Sequence, residues 1–137
     1  VDGAAPVKLL LDTHVWIWSL QSPEKLGRTV RRQVENARNE LYLSPISIWE
    51  VCHLKRRGRL RTRQSFSEWL EQARSRMPLL EAPFNFAVAA EAARIELPPA
   101  DLGDLFLAAT ASVYGLTLAT ADSQLLQCTW LQTLPAD

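Results

Sequence analysis

Four carboxylates in this chain stand in contexts that suit the handling of a divalent cation. Asp12 terminates the apolar run Leu9-Leu10-Leu11, and Glu50 sits inside a mostly apolar stretch. Asp104 precedes a long apolar segment, and Asp122 follows Leu116–Ala119. Brought together, such groups repel one another unless a cation relieves the repulsion. An all-oxygen donor set suits Mg²⁺ or Mn²⁺ rather than zinc. A cation held this way lowers the pKa of a bound water and offsets charge growing on a phosphoryl group, which is hydrolytic chemistry. Each acid also has a plainer role open to it. Asp12, Asp104 and Asp122 can cap helices, and Glu50 can pair with an arginine.

A second feature is charge. The formal net charge is zero, yet residues 1–76 hold 14 Lys and Arg against 8 acids, while residues 77–137 hold Arg94 alone against 7. The cations concentrate in KRRGRLRTR: Lys55, Arg56, Arg57, Arg59, Arg61 and Arg63, with no acid among them. A helix C-terminus favours a few cations, not easily six. A phosphate-binding patch is therefore a fair expectation.

Other chemistries find little support. No Gly-rich loop precedes a Lys-Ser or Lys-Thr pair, and neither HExxH nor G-x-S-x-G occurs. An aspartyl-nucleophile phosphatase would want a second Asp two residues after Asp12, where His14 stands. A receiver-like domain would want a late Lys, and none follows Lys55. Cys52 and Cys128 are too few for a disulfide framework, and Cys52 reads as a small buried hydrophobe. A cytoplasmic setting fits best. No run of 18 apolar residues exists to span a membrane.

The elements that must position the acids follow from pattern. Val7–Leu11 reads as a buried parallel strand and Thr13–Leu20 as a helix after it. Pro23–Leu26 is a turn, Arg28–Asn36 a polar-faced helix and Glu40–Leu43 a second strand. Ser44-Pro45 announces a helix over 45–57, stopped at Gly58. There Glu50 has Ile46, Ser47, His53 and Leu54 as its one-turn neighbours. Ser65–Ser75 is amphipathic, with Phe66, Trp69, Leu70 and Ala73 on one side. Phe84–Leu97 is an Ala-rich helix halted by Pro98-Pro99. Asp101–Asp104 is a loop leading into a buried helix over Leu105–Tyr114, closed by Gly115. Leu116–Ala119 is a third strand and Thr129–Leu134 a fourth. Trp16, Trp18 and Trp49 read as core or interface packing rather than base-stacking residues, because Trp16 and Trp49 lie in apolar runs. Alternating strands and helices give an α/β class with a parallel sheet, in which ligands bind beyond the carboxyl ends of the strands. The 137 residues read as one domain, with residues 1–6 a leader outside the fold, disordered or appended.

The segments LLLDTHVWIW, SPISIWEVCHLKRRGRL, DLGDLFLAATA and LTLATAD, in that order, resemble the PIN-domain family, in particular the VapC-type toxins of bacterial toxin–antitoxin pairs. The likeness runs from about Val7 to Leu134. It implies a three-layer α/β/α sandwich with a central, mainly parallel sheet. It implies that Asp12, Glu50, Asp104 and Asp122 form an acidic quartet binding Mg²⁺ or Mn²⁺, with Asp101 assisting. It further implies RNA as substrate, a homodimer and a small antitoxin that silences it. Thr13, Ser47 and Thr120 are candidates for orienting ligands or phosphate. One departure stands out: Leu105 follows the third acid where the family often has Arg, and Leu102-Gly103 stands where Pro and a small residue are common. A catalytically idle PIN-like module that binds RNA or protein is the alternative. For an antitoxin, the Ser65–Ser75 helix and the early Trp-rich segment offer either a docking surface or ordinary core.

Overall fold

A computed structural model describes residues 5–96 and 101–137. The sheet contains strands β1 (Lys8–Leu11), β2 (Glu40–Leu43), β3 (Leu80–Glu81), β4 (Thr117–Thr120) and β5 (Thr133–Pro135). Their spatial order is β3-β2-β1-β4-β5, and every neighbouring pair is parallel. The helices are α1 (Thr13–Gln21), α2 (Arg28–Glu35), α3 (Pro45–Arg56), α4 (Phe66–Arg76), α5 (Phe86–Arg94), α6 (Leu102–Tyr114) and the short α7 (Ser123–Leu126). A 3₁₀ turn at Pro23–Lys25 follows α1.

The alternation of β1 builds three layers. Leu9 and Leu11 point to one face, where α1, α3 and α4 contribute Val15, Trp16, Val51, Trp69 and Ala73 to a single cluster. Leu10 points to the other face, against Leu107, Ala108 and Ala111 of α6. Helix α5 then packs on α6 through Val88, Ala92 and Ala109. All three leucines of β1 are fully buried, as a central parallel strand requires. Trp16 is also fully buried and meets Trp69 edge to face at 5.3 Å. Its indole Nε1 has no hydrogen-bond partner among the described residues. Truncating a buried ring of this size costs roughly 3–5 kcal/mol.

Capping chemistry sets most helix boundaries. Ser44 Oγ accepts from the Ile46 amide, with Pro45 at the first helical position. Ser65 and Glu68 form a reciprocal capping box on α4. Gly58, at φ +70°, ends α3 in a Schellman arrangement: the Gly58 amide donates to Lys55 O and the Arg59 amide to Leu54 O.

Several expectations are corrected. The segment 101–104 is not a loop: Asp101 caps α6 through the Gly103 amide, and the helix begins at Leu102. The helix predicted over 84–97 starts at Phe86, because Asn85 caps it through the Val88 amide, and stops at Arg94. Leu97, Pro98 and Pro99 lie outside the described residues, as do residues 1–4 of the predicted leader. The strand expected at Leu116–Ala119 is shifted by one, since the Leu116 amide still bonds back to Ala111 O behind Gly115. The final strand is shorter than Thr129–Leu134 because a Leu131-to-Cys128 turn occupies its start. Strand β3 and helix α7 have no counterpart in the sequence pattern. Trp49 is not packed: it is 60% exposed. Cys52 is half-buried rather than buried. The apolar side of α4 is core, with Phe66 and Leu70 packed against the same cluster as Trp69 and Ala73. Phe66 and Leu70 remain half-buried there.

Candidate active site at the carboxyl edge of the sheet

The strand order reverses direction at β1, which pairs with β2 on one side and β4 on the other. In an open parallel sheet this switch point leaves a crevice beyond the strand ends. Asp12 is the first residue past β1, and its amide donates to Ala119 O of β4 at 3.0 Å. Asp122 stands two residues past β4. The two outermost members of the predicted quartet are thereby brought to one edge.

Hydroxyl groups hold the acids in place. Thr120, fully buried, donates to Asp12 Oδ2 at 2.7 Å and accepts from the Asp122 amide at 3.0 Å. Asp12 occupies the N-cap position of α1 but makes no side-chain cap, so its carboxylate is committed to Thr120 instead. Between α1 and α3, Thr13 Oγ1 lies 3.0 Å from Glu50 Oε1 and 2.8 Å from Ser47 Oγ. An ionised carboxylate only accepts, so Thr13 donates to Glu50 and accepts from the Ser47 hydroxyl. Thr13, Ser47 and Thr120, candidates from the sequence, thus all bond an acid directly or at one remove. Ser47 and Val51, one turn apart, mark the buried side of α3.

Two acids are also structural caps. Asp122 Oδ1 accepts from the Leu125 amide and starts α7, and Asp101 Oδ1 accepts from the Gly103 amide. Asp104 sits in the first turn of α6. There the helix dipole favours a negative charge, yet burial and neighbouring acids outweigh it. Desolvation, then the charges of Asp122, Asp101 and Asp12, and a hydrogen bond to Asp122 push the Asp104 carboxyl up to about 7. Burial raises Asp12 as well, with Asp122 adding to it, against the lowering effects of Thr120, His14 and the Thr13 amide. Burial raises Glu50, opposed by Thr13 and reinforced by Asp12 and Asp101. Asp12, Glu50 and Asp104 are thus each raised in part by neighbouring acids, and among the described residues none of the four quartet members is ion-paired to Lys or Arg.

Among the described residues no group of three or more His, Cys, Asp or Glu side chains is arranged to hold a metal ion as it stands. The donor chemistry nevertheless fits one. Half-buried carboxylates that raise each other's pKa, with only His14 beside Asp12 to lower one of them, are the hard-oxygen set that a divalent ion stabilises.

An approach unseen in the sequence joins α3 to α6. A β-carbon built on Gly103 would stand 3.1 Å from Glu50 Oε2 and 3.1 Å from Asp101 Oδ1. The only sequence signal is the departure at Leu102-Gly103. Leu105, the other departure, packs into the α5–α6 cluster. The basic segment leaves α3 past the Schellman turn. Arg56, Arg57, Arg59, Arg61 and Arg63 are exposed, Lys55 is half-buried, and the buried Leu60 anchors the strip.

Comparison with known proteins agrees with this geometry. A family model described as "PIN domain" matches residues 9–130. "Ribonuclease VapC22" of Mycobacterium tuberculosis is 29% identical over 120 residues, covering 85% of this chain and 88% of that protein. The fold is shared with VapBC2 from Rickettsia felis, solved bound to a DNA fragment from its promoter (TM-score 0.67, 14% identity, 96% of this chain and 100% of that one). It is also shared with VapBC-1 from nontypeable Haemophilus influenzae (TM-score 0.67, 18% identity, 94% and 98%). With a match that runs from β1 to just short of β5 and takes in every acid at the sheet edge, the chain belongs to the PIN-domain family.

Proposed function

We propose that this chain is a Mg²⁺- or Mn²⁺-dependent endoribonuclease of the VapC type, the toxin of a toxin–antitoxin pair acting in the cytoplasm. What supports the reading most is the charge interaction of Asp104 with Asp122, Asp101 and Asp12 beyond the strand ends, which together with burial pushes Asp104 up to about 7, and that of Glu50 with Asp12 and Asp101. The ribonuclease name of the M. tuberculosis relative and the VapBC pairs among the shared folds support it.

Asp12, Asp104, Glu50 and Asp122 would hold the ion, with Asp101 assisting from the start of α6. The bound ion supplies a water of lowered pKa and a positive charge opposite the phosphoryl oxygens. Thr120 fixes the orientation of Asp12, and Thr13 with Ser47 fixes Glu50, so the ligands are set before substrate arrives. Glu50, whose carboxyl prefers its proton more than a free glutamate does, would either ligate the ion or take the proton of the attacking water. Lys55, Arg56, Arg57, Arg59, Arg61 and Arg63 contact RNA phosphates, which positions the strand without reading its sequence.

An antitoxin would silence this site with a basic C-terminal part or one inserted Arg or Lys, since buried carboxylates bind a guanidinium or ammonium strongly. The working form would be a homodimer. The idle-module reading rests on the departures around Asp104: Leu105 packs in the α5–α6 cluster, and Gly103 leaves room for the Glu50 carboxylate.

The test is expression with and without the small reading frame next to this gene. The expected result is growth arrest alone, rescue and co-purification with the partner, and RNA cleavage by the purified chain that stops on chelation and in Asp12→Asn. Cleavage by the Asn variant at the parent rate would refute the assignment. No metal binding in calorimetry together with tight RNA binding would favour the idle module.

A further inference from the structure

Trp49 is the one large aromatic side chain next in sequence to a quartet member, and 60% of it is exposed. Its ring lies nearly parallel to His53, with centroids 5.1 Å apart and 9° between planes. Ser47 and Val51 mark the buried side of α3, and Trp49 falls midway between them in sequence, on the opposite side of the helix. Packing within the described residues of the chain does not explain it. The stack does not hold the fold together either, since both rings stand on one helix, one turn apart.

The surroundings define what fits the exposed indole face. Counting along α3 from Trp49, His53 is at i+4, Arg56 at i+7 and Arg57, its C-cap, at i+8, which is the repeat of one helix face. That stripe begins beside Glu50 and runs into the exposed cations of the basic segment. On the other side of Glu50, the exposed Leu102 adjoins Gly103, which Glu50 approaches closely. A ligand that offers a flat ring to Trp49 and anionic groups to Arg56 and Arg57 is a nucleic-acid strand. Its base must be unpaired, because a base inside a duplex has both faces already stacked. An apolar helix would satisfy the indole but leave the arginines unmatched.

We infer that Trp49, held flat by His53, is the platform on which one unpaired base of the RNA substrate stacks beside the carboxylate site. This rests on the ribonuclease reading and adds to it a residue that positions the strand, with the strand running along α3. The His53 ring restricts the indole before binding, so little rotamer freedom is lost when a base arrives.

The test measures binding by fluorescence anisotropy in EDTA, using the full chain, a labelled single-stranded oligoribonucleotide and the blunt RNA duplex of the same sequence. Trp49→Ala should weaken binding of the single strand about 5- to 100-fold, the effect of losing one base–aromatic stack, and leave duplex binding unchanged. Trp49→Phe should keep most of the affinity, and its intrinsic fluorescence should be quenched less by the single strand than the parent's. Equal single-strand affinity in parent and Trp49→Ala, or equal losses for single strand and duplex, overturns the platform. Unchanged RNA binding with lost self-association in sedimentation also overturns it and makes Trp49 an interface residue. If the parent chain neither binds RNA in EDTA nor cleaves it with Mg²⁺, the ribonuclease reading itself falls.

Discussion

The Glu50 carboxylate occupies the space that a side chain at position 103 would need: a β-carbon on Gly103 would lie 3.1 Å from Glu50 Oε2. Gly103 sits in α6 without a left-handed backbone, so alanine suits its conformation. Gly103→Ala should leave stability within about 1 kcal/mol of the parent, since the helix gain offsets the crowding. RNA cleavage should fall about tenfold or more, as Glu50 is pushed off its place. Thermal melting alongside single-turnover cleavage checks both, and full activity in the variant would show that Glu50 need not stay where it is.

Thr120 should prove as consequential as an acid. Thr120→Val removes the bond that orients Asp12 and orphans the Asp122 amide. We expect a loss of about 10- to 100-fold in metal affinity or cleavage and about 1–3 kcal/mol of stability. Thr120→Ser should restore most of both, and calorimetric Mn²⁺ titration of the three proteins decides.

Asp104 sets a pH dependence for the metal-free chain. Its folded pKa, about 7, lies above the ordinary 3.8, so between those values the folded state binds more protons than the unfolded one. Stability from this group is therefore full at low pH and is lost as pH rises toward and through about 7. Asp12 and Glu50, also raised, act in the same direction. Partial exposure of Asp104 screens the effect. In EDTA the melting temperature should drop between about pH 5 and about pH 8. Mg²⁺ should raise it more at the upper end. A larger Mg²⁺ effect at the acid end would contradict the raised carboxyl.

Replacing Arg56, Arg57, Arg59 and Arg61 by Ala should weaken binding of every RNA sequence alike. The slope of log affinity against log salt should flatten by about 0.7 for each phosphate of a single strand that the variant no longer neutralises. An unchanged slope would assign the strip to a protein partner.

Much of this is legible in the sequence where the signal is local and strong. Leu9–Leu11 could only be a strand buried on both faces, and Ser44-Pro45 could only open a helix. The hydroxyls at 13, 47 and 120 are readable as neighbours of acids, though not which acid each would hold. Strand β3 escapes because it has two residues, both exposed, and exists only by pairing with Tyr42 and Leu43. Trp49 is misplaced when its apolar run is weighed above the helical period set by Ser47 and Val51. Gly103 meets Glu50 across more than 50 residues of sequence, and no local pattern encodes such a meeting.

The hydrogen bond from Thr120 to Asp12 spans 108 residues, and β1 gains its β4 neighbour only through the same late segment. Synthesis runs from the N-terminus, so Asp12 and Glu50 leave the ribosome long before Asp104 and Asp122 exist. A half-made chain holds two of the four acids and lacks the strand that aligns the first. The acid edge is therefore complete only once the segment from Asp104 to Asp122 has been made and β4 has paired with β1.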